Sequence, residues 1–207
     1  MSEGSHHGEY QNRRLDRNEV KHIRTRAFSP IAPSPKNLPH PHLLSDSFLF
    51  HIIFRIMKKL QWKIDIAAPV ATVYDRMLGL TNKSTYEHWT AAFNPTSSYE
   101  GNWENGSKML FVGVDEHGAM GGMISKITEH TPQRFVSIQH VGMVQAGIEI
   151  TDGPEVEQWA NGLEQYTFEE HNGITTITVN MDAAEDFEEY MNDTYPQALA
   201  LLKASCE

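Results

Sequence analysis

The sequence predicts an α+β domain in which a long C-terminal helix covers an antiparallel sheet of six to seven strands, with two short helices after the first strand. Three observations predict it. Apolar residues alternate with polar ones in short runs separated by tight-turn sequences, the mark of strands joined in series. Helical spacing is confined to two short stretches after the first strand and one long final run. A sheet with one apolar face needs a cover, and the final helix is the only long candidate.

The elements follow in order. Leu60, Trp62, Ile64 and Ile66 alternate with Gln61, Lys63 and Asp65 as a half-buried strand. Pro69 suits a first helical position, Val70, Val73, Tyr74 and Met77 keep helical spacing, and Gly79 stops the run. A second helix is expected over Ser84 to Ala92, ended by Asn94-Pro95. Strands are expected over 97–103, 107–114, 119–130 and 134–144, with a bulge or bend at Gly121-Gly122. A wide Gly- and acid-rich loop spans Gly147 to Gly162. Leu163 to Glu170 and Ile174 to Met181 form a hairpin around Asn172-Gly173, the strongest short hairpin signal. The last helix opens with the acids of Asp182 to Asp186 and carries its apolar stripe on Phe187, Tyr190, Met191, Tyr195, Ala198, Leu199 and Leu202. Pro196 predicts a kink or break near Thr194.

Charge divides the chain of 207 residues in two. Residues 1–56 hold eight Lys/Arg against five Asp/Glu, a net of +3; residues 57–207 hold nine against twenty-two, a net of −13. The first part is basic and then proline-rich (Pro30, Pro33, Pro35, Pro39, Pro41), a composition expected to stay disordered up to about Leu43. Leu43 to Ile56 is apolar but broken by Asp46, His51 and Arg55, and too short to span a membrane. This leader reads as a targeting arm, as a membrane-surface anchor through Phe48, Phe50, Ile52, Ile53 and Phe54, or as a non-native extension from an upstream start, with Met57 as the natural one. Residues 57–207 then form the domain.

A net charge of −10 argues against nucleic acid or anionic membrane as a bulk partner. A single cysteine, Cys206, makes no internal disulfide, so nothing implies an oxidising compartment and a cytoplasmic location is expected. His6-His7 and His40-Pro41-His42 have no Cys or carboxylate framework for a specific metal. No phosphate loop, nucleophile elbow or Cys-pair zinc pattern is present, and neither cofactor nor metal is expected.

The order of elements resembles the SRPBCC (START-like) superfamily. Ile64-Asp65-Ile66-Ala67-Ala68-Pro69-Val70-Ala71-Thr72-Val73-Tyr74 resembles its opening strand, "APxxxV" turn and first helix, and Tyr86-Glu87-His88-Trp89 its aromatic second helix. Gly106 to Phe111 resembles its "GxxxxF" strand, and Gly122 to Ile127 with Pro132 to Phe135 its "GxVxxI…PxRL" segment. The match spans essentially all of 60–203. It looks most like the branch named after homologues of the heat-shock ATPase activator, with Ser107 where a second glycine is common. The resemblance implies a helix-grip fold, a curved sheet wrapped around the last helix with a small apolar ligand held between them.

Ligand-facing candidates are then Trp62, Trp89, Phe93, Met109, Phe111, His140, Met143, Tyr166, Phe168, Tyr190, Met191 and Tyr195. Such cavities are mostly apolar with a few placed polar groups. Each candidate also reads as plain core, because apolar periodicity reports burial and not ligand contact. His140, mid-strand in an apolar segment, suits either a general base or a satisfied core histidine. Glu169 and Glu170 point to opposite faces of their strand and cannot act as a pair. Three functions remain open: a binding protein for a lipidic or aromatic molecule, which we favour; a cyclase- or hydratase-like enzyme using His140 or a buried tyrosine; and a protein-interaction, co-chaperone-like module.

Overall fold

The computed structural model describes residues 57–207. The expectations for the leader of residues 1–56 lie outside the described residues. The chain runs β1 (Lys58–Ile66), α1 (Val70–Leu78), α2 (Lys83–Thr90), β2 (Ser98–Gly101), β3 (Lys108–Val114), β4 (Met120–Thr131), β5 (Phe135–Gln145), β6 (Ile148–Ile150), α3 (Pro154–Glu157), β7 (Leu163–His171), β8 (Ile174–Ala183), a 3-10 turn (Glu185–Phe187) and α4 (Glu188–Cys206). The eight strands form one antiparallel sheet in the order β1-β8-β7-β5-β4-β3-β2, with β6 pairing β5. This is the α+β helix-grip arrangement: a curved open sheet, two short helices after the first strand, and a long helix packed on β1 and on both short helices. The eighth strand, β6, and the four-residue α3 lie in the segment expected as a loop.

The β7–β8 hairpin has the expected tight turn, with positive φ at both Asn172 (54°) and Gly173 (77°), the conformation that twists a two-residue loop to match its strands. Gly122 answers a different need from the one read in the sequence. Its pair with Gly121 stays in register with both neighbours. A Cβ on Gly122 would stand 2.0 Å from the Phe111 carbonyl oxygen, so the residue is small because β3 approaches closely. The irregularity of β4 and β5 lies elsewhere, at register shifts between Ile124 and Ser125 and between Ile127 and Glu129.

The last helix also differs from expectation in two ways. Asp182 belongs to β8, opposite Lys59, and α4 starts at Glu188 after the 3-10 turn. Pro196 sits inside α4 without ending it. The carbonyl that its missing N–H leaves unpaired belongs to Asn192; both residues are exposed, so water can satisfy that group while Thr194, Tyr195, Ala198 and Leu199 anchor the inner face. At its far end α4 clasps the β1–α1 turn. Lys203 Nζ donates to the Asp65 carbonyl (2.7 Å), and the Glu207 carboxylate accepts from Ala67 N (2.8 Å).

Helix α1 is held by aromatic side chains at its C-terminal end. Four carbonyls there have no partner within the helix ladder. Trp89 Nε1 donates to Met77 O (2.9 Å), Trp103 Nε1 to Leu78 O (3.0 Å), Tyr99 Oη to Gly79 O (3.3 Å) and Thr85 Oγ1 to Arg76 O (2.9 Å). The rings pack edge to face around Tyr86, at 5.6 Å from Trp89 and 4.9 Å from Tyr99. The N-terminal end is capped from the sheet, where Glu170 Oε2 accepts from Val70 N (2.8 Å). This cap gives Glu170 a structural task, separate from Glu169.

Candidate functional site

A cavity of about 390 Å³ lies between the sheet, α2 and the first half of α4. Eight of the twelve residues expected from the sequence line it: Trp89, Phe93, Phe111, His140, Tyr166, Tyr190, Met191 and Tyr195. Four do not. Trp62 stands behind the wall, stacked on Tyr195 at 4.3 Å between ring centroids. Met109 is fully buried in the core, and Phe168 packs edge-on to Tyr74 (5.5 Å) under α1. Met143 is buried in the sheet between its partners Met123 and Ile150. Their periodicity was a true signal of burial, but the space they fill is core.

The cavity also has walls that the sequence reading missed: Tyr86, Met123, Trp159, Glu164, Met181 and Phe187. Trp159 arrives through the segment expected as loop, positioned by α3, whose Val156 is buried. Glu164 matters most. It shares a strand face with Tyr166 and Phe168, so period-two counting along β7 already places a carboxylate on an apolar face.

Glu164 is the centre of a polar cluster. Tyr166 Oη donates to its Oε1 (2.5 Å), and Tyr195 Oη donates to the same oxygen. His140 Nε2 lies 3.4 Å from Oε2, and among the described residues it has no hydrogen-bond partner of good geometry. His140 Nδ1 pairs with Ser125 Oγ at 2.9 Å. A serine hydroxyl has one proton to give, and when it goes to Nδ1 the imidazole proton sits on Nε2, facing Glu164. Trp62, stacked on Tyr195, holds the tyrosine ring from behind.

His140 takes its position from a fault in the sheet. Ile124 pairs with Gly142, yet Ser125 pairs with His140, so β5 carries one surplus residue, Val141. Such a bulge bends a strand and re-aims a side chain. Beyond it β5 changes neighbour, pairing β7 over Phe135–Gln139 and β6 over Met143–Gln145. The His140 backbone sits in the gap between them and bonds the loop instead, donating to Gly162 O (2.9 Å) and accepting from Asn161 N (2.8 Å).

Burial pulls the Glu164 carboxyl towards a higher pKa, but the His140 imidazole and the Tyr166 and Tyr195 hydroxyls outweigh it and hold the group below its ordinary value. Burial, with the Glu164 charge beside them, pushes Tyr166 and Tyr195 well above the ordinary tyrosine value; Tyr86 moves the same way. Around neutral pH the cluster is therefore one fixed carboxylate ringed by permanent hydroxyl donors. In the row Ser125–His140–Glu164 the serine is fully buried and is not among the residues lining the cavity, so it is not presented there as a nucleophile. Among the described residues no group of three or more His, Cys, Asp or Glu is placed to hold a metal ion. Among the described residues no helix is long and apolar enough to cross a membrane.

No family model and no curated protein matches this chain. Solved structures do. The Aha1 dimer from Colwellia psychrerythraea is similar at 21% identity, over 73% of this chain and 97% of that one, with a TM-score of 0.53. A protein from Nitrosomonas europaea is similar at 16% identity, over 70% of this chain and 92% of that one (TM-score 0.52). A protein from Chromobacterium violaceum is similar at 14% identity, over 72% and 97% (TM-score 0.52). At these identities the likeness establishes the fold, which is consistent with an SRPBCC-like domain.

Proposed function

We propose that this protein, an SRPBCC-superfamily domain over residues 57–207, binds a small, largely apolar molecule between its sheet and its C-terminal helix. The supporting observation is the cavity of about 390 Å³, walled by aromatic and methionine side chains with one cluster of polar groups at Glu164. That is the usual composition of a small-molecule site, apolar surface for affinity and a few polar groups for orientation. Met123, Met181 and Met191 line it too and lend adaptability of shape.

An enzymatic reading draws on the convergence of His140, Glu164, Tyr166 and Tyr195. General acid–base catalysis works best with a group whose pKa lies near the operating pH. The carboxylate here is held low and the hydroxyls are held high, so neither shift moves its group towards neutrality. For the carboxylate and the two tyrosine hydroxyls, this favours binding over proton transfer. A protein partner is compatible with the likeness to Aha1, which is described as a dimer.

Native mass spectrometry of the full chain isolated from its own host tests the reading. The expected outcome is a co-purifying small molecule, released on denaturation, with a matching thermal shift on adding it back. No bound molecule, and no shift across a panel of lipidic and aromatic compounds, would overturn it.

A further inference from the structure

The apolar wall says little about which ligand is preferred; the Glu164 end of the cavity says more. His140 is 5% exposed, lines the cavity, and leaves Nε2 with no hydrogen-bond partner. With Ser125 donating to Nδ1, Nε2 is a buried donor without a partner, and such a group carries a desolvation cost that a bound ligand can remove. Beside it, Glu164 Oε1 already accepts two tyrosine hydroxyls, while Oε2, 3.4 Å from Nε2, accepts no hydrogen bond from the described residues. A donor and an acceptor thus stand side by side, with Nε2 covered just behind the cavity wall.

We propose that the site selects a ligand bearing a hydroxyl group on an otherwise apolar, aromatic-sized body, with the hydroxyl donating to Glu164 Oε2 and accepting from His140 Nε2. This rests on the cavity-binding reading above. Charged and wholly apolar alternatives fit less well. An ammonium group has donors but no lone pair for Nε2–H. A carboxylate has no proton for Oε2, and a carboxylate or phosphate would bring a second negative charge against Glu164. A hydrocarbon leaves both groups unpaired. Nε2 has no accessible surface of its own, so admitting the hydroxyl requires the Glu164 carboxylate to move aside. It can pivot about Oε1, which the two tyrosine hydroxyls hold.

Four probes of one shape separate these cases: naphthalenemethanol, naphthalenemethylamine, naphthoate and methylnaphthalene, titrated into the full-length protein by calorimetry. Naphthalenemethanol is expected to bind about tenfold tighter than methylnaphthalene, with the amine weaker than the alcohol and naphthoate weakest. In His140→Phe and Glu164→Gln the alcohol's advantage over methylnaphthalene, measured on the same sample, shrinks to less than about threefold. The wild-type ranking decides by itself if a variant fails to fold. An alcohol no tighter than methylnaphthalene, or one bettered by the amine or the carboxylate, overturns the hydroxyl proposal and leaves cavity binding standing. No binding by any of the four overturns both.

Discussion

Two aromatic clusters stand side by side and use the same residue types to opposite ends. Around the C-terminus of α1, two indoles and a phenol each donate to a helix carbonyl, and the rings close on one another edge to face. In the cavity, two phenols converge on one carboxylate, and a histidine beside it keeps an unpaired nitrogen. The first cluster is satisfied within the fold. The second is satisfied only in part, around a space the fold does not fill. Aromatic content alone therefore does not distinguish the two clusters; the unfilled polar valence among the rings does.

The contrast can be tested from the larger effect to the smaller. Trp103→Ala removes a ring that is 5% exposed and its bond to the α1 carbonyl, and is expected to lower unfolding free energy by about 3–5 kcal/mol in urea titration. Glu164→Leu leaves two tyrosine hydroxyls without their acceptor and should cost about 2 kcal/mol by the same measurement. Should Glu164→Leu cost as much as Trp103→Ala, the cavity cluster is as central to stability as the clamp and the contrast fails. Tyr195→Phe deletes one hydroxyl but keeps the ring on Trp62, so about 1 kcal/mol is expected.

A pH series sharpens the same comparison. The folded pKa of Glu164 lies below its ordinary value, so its contribution is fully present above the unfolded pKa of about 4.3 and is lost as pH falls through the folded value. Asp115 and Glu207 are lowered too, by backbone N–H donors, and add acid dependence of their own. The stability difference between wild type and Glu164→Gln isolates Glu164; it should shrink steadily as pH falls below about 4 in paired denaturant titrations. For the clamp, Trp103→Phe should show a difference from wild type that does not change over that range.

Much of this architecture is legible in the sequence because its signals are local. Alternation in β1, Asn172-Gly173 and the stripe of α4 depend on residues a few places apart, and the elements they predict are present. The misses share a cause. Pro196 breaks a helix in isolation, but the buried face of α4 carries the chain through. Gly122 advertises backbone freedom, and only a neighbouring strand shows that it serves close approach. Trp159 reaches the cavity from a segment with no periodicity to read. Glu164 is the exception, since the strand's own period places it inward with Tyr166 and Phe168, on the face that ends in the capping Glu170. Which inward residues face core and which face the cavity depends on how α4 and the sheet diverge, a non-local property.

The register fault that sets His140 has a partner. Val141 is surplus in β5 and Thr128 is surplus in β4, so the two cancel and the strands line up again on either side of a three-pair island, Ser125–Ile127 against Ile138–His140. The polar corner is therefore addressed by length as much as by composition. Losing either surplus residue alone would throw one strand out of phase with its neighbour, and with a repeat of two that exchanges its faces. Losing both together would keep the ladder and erase the island. In this fold, a matched pair of single-residue deletions is a way to silence the site and leave the sheet intact.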